Sequence, residues 1–112
     1  MANHGDPLTP AFHALADPTR RAVMARLAEG PATVSELAAP FGMALPTFLQ
    51  HLRILEGGGL IATEKKGRSR LCRLNAGRVA DIEDWLGRQR RTWESRADRL
   101  EAFLGRGGDL NG

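Results

Sequence analysis

The chain has 112 residues, 42% hydrophobic, 26% charged and only 5% aromatic. That suffices for one domain with one core and excludes global disorder. No run approaches the roughly 18–20 apolar residues of a membrane span, and the opening MANHGDPLTP lacks the basic head and apolar block of a signal peptide. A single cysteine, Cys72, rules out an intrachain disulfide framework and multi-cysteine metal modules. The expected location is the cytoplasm.

The net charge of +3 is unevenly placed. Residues 1–49 sum to −1, residues 50–74 to +4, and the remainder cancels. Arg53, Lys65, Lys66, Arg68, Arg70 and Arg73 therefore concentrate the excess in one stretch. A local basic patch suits a polyanion, because each neutralised phosphate releases counterions. A solvated turn is the plainer reading of Lys65–Arg70.

In chain order, residues 1–9 read as a flexible arm with Gly5 and Pro7. Leu8, Phe12 and Leu15 recur at helical spacing, which predicts a short helix over 10–16. Asp17-Pro18 then stops one helix and starts the next: Asp17 caps, and Pro18 gives up an amide that needs no partner. The second helix runs over about 18–29 and ends at Gly30-Pro31. Thr33 with Glu36 forms a capping box and opens a third helix, about 34–40. Phe41-Gly42-Met43 is a turn, and a fourth helix spans about 45–56 on a stripe of Leu45, Phe48, Leu52 and Leu55. Gly57-Gly58-Gly59 ends it.

The periodicity then changes. Residues 60–64 and 69–74 read as two strands around Lys66-Gly67-Arg68. Such a hairpin is marginal alone and must lean on the helices. Asn75 caps a last helix over 76–104, with residues 105–112 as a flexible tail. At 1.5 Å per residue this helix reaches about 43 Å, longer than so small a core. Its apolar positions Leu86, Trp93, Ala97, Leu100, Phe103 and Leu104 outrun that core and predict a two-fold homodimer, assisted by Leu8 and Phe12. The expected fold is mostly α with a small β-hairpin, α-α-α-α-β-β-α: a winged helix-turn-helix over residues 10–104, dimeric through its terminal helices.

Specific residues carry a family likeness. FHALADPTRR (12–21), VSELA (34–38), Leu45-Pro46-Thr47, HLRILE (51–56), Gly59-Leu60-Ile61 and Gly67-Arg68 resemble the ArsR/SmtB family of bacterial winged-helix repressors. Residues 85–101 are similar to its SdpR-like branch, which lacks the usual metal sites. The resemblance implies a homodimeric repressor, an autorepressor among the options, on an inverted-repeat operator in double-stranded DNA.

On the fourth helix Thr47 and Gln50 are the base-reading candidates, since Gln pairs bidentately with adenine and Thr offers a hydroxyl or methyl. Leu49 either meets a thymine methyl or packs inward. Arg20, Arg21, His51, Arg53, Lys65, Lys66, Arg68 and Arg70 are candidates for the phosphate backbone or minor groove. His51 serves equally well as a plain surface residue, and one of Arg20 and Arg21 equally well as the partner of an acid within the protomer. Many relatives carry small hydroxyl residues where Ala44 and Leu49 stand here.

No metal or other cofactor is expected, because the third helix lacks a thiol and the last lacks histidine; only His4 and His13 leave a remote option across a dimer. Cys72 reads as a buried inert thiol, with redox sensing the alternative. The nature of a small-molecule effector is not legible. No Gly-rich phosphate loop, HExxH or nucleophile elbow occurs, so an enzyme is not expected. The competing function is a protein-interaction module, an antirepressor or adaptor, on a scaffold that has lost specific DNA binding.

Overall fold

The computed structural model describes residues 6–111, with side-chain environments through residue 105. The expected elements form, and one unforeseen strand joins them. Helices α1 (Leu8–Leu15) and α2 (Pro18–Leu27) are followed by β1 (Ala32–Thr33), α3 (Val34–Ala38) and α4 (Leu45–Gly57). Strands β2 (Ile61–Lys66) and β3 (Ser69–Leu74) lead into α5 (Ala76–Asn111). The chain forms two compact units, one ending at Val79 and the other beginning at Ala80.

Local chemistry sets the helix starts. Asp6 accepts from the Leu8 amide (2.9 Å) and the Thr9 hydroxyl (3.1 Å), so α1 begins inside the segment expected to be an arm. Residues 1–5 of that arm lie outside the described residues. Asp17 caps α2 by accepting from the Arg20 amide at 3.1 Å, with Pro18 in the first turn. Thr33 and Glu36 bond reciprocally, Glu36 N–H to Thr33 Oγ1 at 3.1 Å and Thr33 N–H to Glu36 Oε1 at 2.9 Å. This is the expected capping box. Ala44 starts α4 with no side-chain cap.

The end of α4 explains two of its glycines. Leu60 N–H bonds to Leu55 O (3.0 Å) and Gly59 N–H to Glu56 O (2.9 Å), a Schellman closure that needs Gly59 at φ +75°. At Gly58 an added Cβ would lie 2.9 Å from Pro10 O, so only glycine admits α1 this closely. Arg78 then ties this corner together, donating to Pro7 O (3.0 Å) and Gly58 O (3.2 Å).

The core of the first unit collects Ala11 and Ala14 from α1, Val23 and Leu27 from α2, Leu37 from α3, and Phe48, Leu52 and Leu55 from α4. Burying a side chain the size of Phe48 or Leu55 stabilises by about 1.5–3 kcal/mol. Phe41, in the turn before α4, sets its ring 5.5 Å from that of Phe48. Leu45, expected on the inner stripe, is instead 53% exposed, because the helix has only begun there and its first turn projects past the core.

The sheet has the order β1-β3-β2, all antiparallel. Ala32 pairs with Cys72 and Thr33 with Leu71, so β3 is the central strand. This two-residue strand was not anticipated. It supplies what a lone hairpin lacks, since β1 runs straight into α3 and fastens the wing to the helix-turn-helix. At the tip Lys66 pairs with Ser69, leaving Gly67-Arg68 as a two-residue loop with Gly67 at φ +60°. Only its first residue is left-handed, the II′ pattern that suits strand twist.

The second unit is the body of α5, which continues through Asn111 where sequence periodicity ended it at 104. Its 36 residues measure about 54 Å. Ile82 is buried, whereas Leu86, Trp93, Leu100, Phe103 and Leu104 are 42–63% exposed. Ala97 is exposed with them. No helix among the described residues is long and apolar enough to cross a membrane.

Candidate nucleic-acid interface

The inward side of α4 is spent on Phe48, Leu52 and Leu55, so its other side is available. Thr47, Gln50 and Arg53 follow one another at three-residue spacing and all three are exposed. Leu49 is half-buried, neither core nor freely exposed. Among the described residues the Gln50 and Arg53 side chains have no hydrogen-bond partner.

The wing presents cations in a defined register. Lys65 pairs directly opposite Arg70, so two like charges face each other across the ladder near the tip. Such a pair is unfavourable by itself and is relieved by an anion. Lys65, Lys66, Arg68 and Arg70 are exposed and, among the described residues, make no ion pair. Arg73 differs: its guanidinium donates to Glu64 at 3.0 Å, which removes both from the local excess. The free positive charge therefore lies at the tip, not along the whole hairpin.

Arg20 departs from its expected role. It is 7% exposed, and its guanidinium donates to Ala14 O (2.6 Å), His13 O (3.3 Å) and His51 Nδ1 (3.0 Å). These bonds cap the C-terminal end of α1 and tie it to α4, so Arg20 is an internal brace and not a surface phosphate ligand. The next residue has nothing comparable: Arg21 is exposed, with one bond to Leu15 O at 2.8 Å. Since guanidinium only donates, His51 Nδ1 is the acceptor and the ring proton sits on Nε2. His51 Nδ1 is also 3.8 Å from Asp17 Oδ2, but the shorter Arg20 contact sets the tautomer.

Asp17 is held below the ordinary carboxylate range, chiefly by the bond from the Arg20 amide; burial opposes this, and the Arg20 guanidinium and the Thr19 amide add smaller lowering effects. Glu36 is lowered by its bonds to Thr33. Both favour the folded state above the ordinary carboxylate pKa, and that contribution fades as pH falls through the lowered values.

Cys72 is fully buried, and burial pushes its thiol upward, reinforced by Glu56 and opposed by Arg70. A buried protonated thiol is a poor nucleophile. In native protein Cys72 should react with a disulfide reagent about a hundredfold more slowly than in urea-unfolded protein. Equal rates in the two states would show an accessible, sensor-like thiol.

Among the described residues no three His, Cys, Asp or Glu side chains converge as metal ligands. His13 is exposed on α1, and His4 lies outside the described residues. Of the apolar residues expected at a dimer contact, Leu8 and Phe12 are half-buried on α1, and the α5 positions are exposed. Sequence reasoning missed the Arg20–His51 brace and the Arg78 clamp, because neither long-range pairing has a local pattern.

Residues 15–64 match the family model for a helix-turn-helix domain. The chain is 32% identical over 75 residues to the transcriptional repressor SdpR of Bacillus subtilis, covering 67% of this chain and 83% of that protein. It superposes on the crystal structure of an ArsR family transcriptional regulator with a TM-score of 0.75 and 53% identity, over 80% of this chain and 98% of the other. A solution structure of a homodimeric winged helix-turn-helix DNA-binding domain from Mycobacterium bovis, a possible ArsR-family regulator, aligns at TM-score 0.64 and 28% identity, over 77% of this chain and 80% of that one. Helix α3, the turn and α4, followed by the wing, thus have the order, sequence and geometry of a known group, none of it enzymatic. This chain belongs to the ArsR family of winged helix-turn-helix transcriptional regulators.

Proposed function

We propose that the protein is a homodimeric repressor that occupies an inverted-repeat operator, its own upstream region being the first candidate. One observation carries the reading: unpaired Lys65, Lys66, Arg68 and Arg70 stand on the wing that follows the exposed Thr47–Gln50–Arg53 side of α4. In this reading α4 enters the major groove and the wing reaches phosphates or the minor groove. Thr47 and Gln50 read base edges; Arg53 and the wing cations hold the backbone. His51, with Nδ1 committed to Arg20, donates Nε2–H to a phosphate. The uncapped first turn of α4 leaves backbone amides that a phosphate oxygen can fill. Two such helices related by a two-fold read half-sites about 34–36 Å apart.

The test divides specificity from affinity. Gln50→Ala should weaken binding to the upstream duplex protected by the wild type by about 1–3 kcal/mol per half-site and leave a scrambled duplex unaffected. Arg68→Ala should weaken both duplexes by similar factors and flatten the salt dependence. Titrations of both variants at several salt concentrations separate the two effects. Unchanged binding by both variants overturns the reading in favour of an interaction module, for which the missing cap at Ala44 and the half-buried Leu49 are the supporting features.

A further inference from the structure

Leu49 is half-buried at the margin of the core, and the structure gives it definite surroundings. A cleft of about 370 Å³ opens between α4 and the wing, lined by Leu49 with Val34, Leu52, Arg53, Glu56, Thr63 and Arg70. Its size falls in the lower range of small-molecule pockets, far beyond a packing defect. The apolar wall comes from two helices: Val34 opens α3, and Leu49 and Leu52 sit one turn apart on α4. The polar groups are unequal. Thr63 donates its hydroxyl to Glu56 Oε2 at 3.0 Å, so that carboxylate already has a partner. Arg53 and Arg70 have none among the described residues, and they leave the cleft with a surplus of one positive charge.

We propose that this cleft binds a small amphipathic carboxylate. Its apolar tail lies against Val34, Leu49 and Leu52, and its carboxylate is held by the Arg53 and Arg70 guanidinium groups. An apolar tail alone would gain nothing from two guanidinium groups. An amphipathic cation would meet two like charges and a Glu56 that is already hydrogen-bonded. A carboxylate supplies the missing acceptor for planar donors, the geometry guanidinium recognises best. Occupancy has a consequence that rests on the DNA-binding reading. Arg53 and Arg70 are two of the cations assigned to the DNA backbone, so a bound carboxylate takes them from the phosphates and lowers DNA affinity. The cleft is then an inducer site placed within the reading head itself.

Octanoate is a suitable probe, titrated into the full chain while amide ¹H–¹⁵N shifts are followed, with no DNA present. The expected result is saturable shifts centred on Val34, Leu49, Leu52 and Thr63, with none from octylammonium at equal concentration. Arg53→Gln combined with Arg70→Gln should raise the octanoate Kd about tenfold or more while the melting temperature holds. Shifts that do not saturate, that centre on Trp93 and Leu100 of α5, or that octylammonium reproduces overturn the site. In a second arm, octanoate at fixed ionic strength should raise the Kd for duplex DNA and flatten its salt slope; unchanged DNA affinity at saturating octanoate overturns the inducer role. A protein that fails to bind DNA without octanoate overturns the repressor reading instead, and the first titration still decides the cleft.

Discussion

Replacing Trp93 and Leu100 together by glutamate should convert the protein to monomers, or to insoluble material, and lower operator affinity by about two to four orders of magnitude. Trp93 is 55% exposed and Leu100 57% exposed on α5, with Leu86, Phe103 and Leu104 similarly uncovered. These five residues recur every three, four or seven positions and so share one side of the helix. Burying a stripe of this kind against its two-fold copy stabilises by about 1.5–3 kcal/mol for each large side chain that becomes fully covered. Glutamates at its centre would place charge where no partner exists. The second-order loss is in DNA binding, since two half-sites on one duplex are occupied with the effective concentration of a tethered pair. Sedimentation of the wild type at tens of micromolar checks the premise, and a monomeric wild type sinks it. Random-duplex binding separates the effects, because a monomer with an intact wing keeps its weak affinity for any phosphate backbone.

The second large effect is expected at Arg20, and it is an effect on stability. Arg20→Met keeps much of the volume but leaves Ala14 O, His13 O and His51 Nδ1 without their donor in a part of the protein largely closed to water. The expected cost is about 2–4 kcal/mol, since bonds to a charged donor are stronger than neutral ones and their loss leaves acceptors unpaired. For a protein of this size the melting temperature should fall by about 10 °C or more. Arg20→Lys should recover only part of this, because an ammonium cannot span three acceptors as a planar fork does. Arg21→Ala, which loses one exposed bond, should stay within about 1 kcal/mol. A thermal melt of each variant settles the matter. If Arg20→Met melts like the wild type and loses DNA affinity instead, Arg20 is a phosphate ligand and the brace is incidental.

The contrast between Arg20 and the wing arginines marks where sequence stops being informative. Both were read as cations next to a helix-turn-helix. Lys65-Lys66-Gly67-Arg68-Ser69-Arg70 surrounds a two-residue hairpin loop, and a loop tip cannot bury its own charges, so exposure there is settled locally. Arg20 begins a helix, and its fate depends on whether a histidine 31 residues later comes within reach. No periodicity encodes that distance.

Cys72 and Leu49 teach the same lesson from the apolar side. Cys72 reads as buried from the sequence, but what covers it is not written there: it pairs with Ala32 of a two-residue strand. A strand that short has no pattern of its own, and its residues looked like the remainder of the Gly30-Pro31 stop. Leu49 lies at the margin of the α4 stripe, where a helical wheel cannot distinguish core from groove, and only the placement of the wing made that margin a cleft.

The sequence by itself determined the order of helices and hairpin, the three helix starts at Asp17, Thr33 and the uncapped Ala44, the concentration of excess positive charge in residues 50–74, and the overlong apolar helix. These follow from interactions within about four residues or from counting charge, and local chemistry is legible in order along a chain. Tertiary structure alone decided that β1 anchors the wing, that Arg20 is a brace bonded to His51, that Arg78 clamps the end of α4, and that Leu49 lines a cleft. Each of these joins segments far apart in sequence, and whether such partners meet is set by how the elements pack, which no single segment carries.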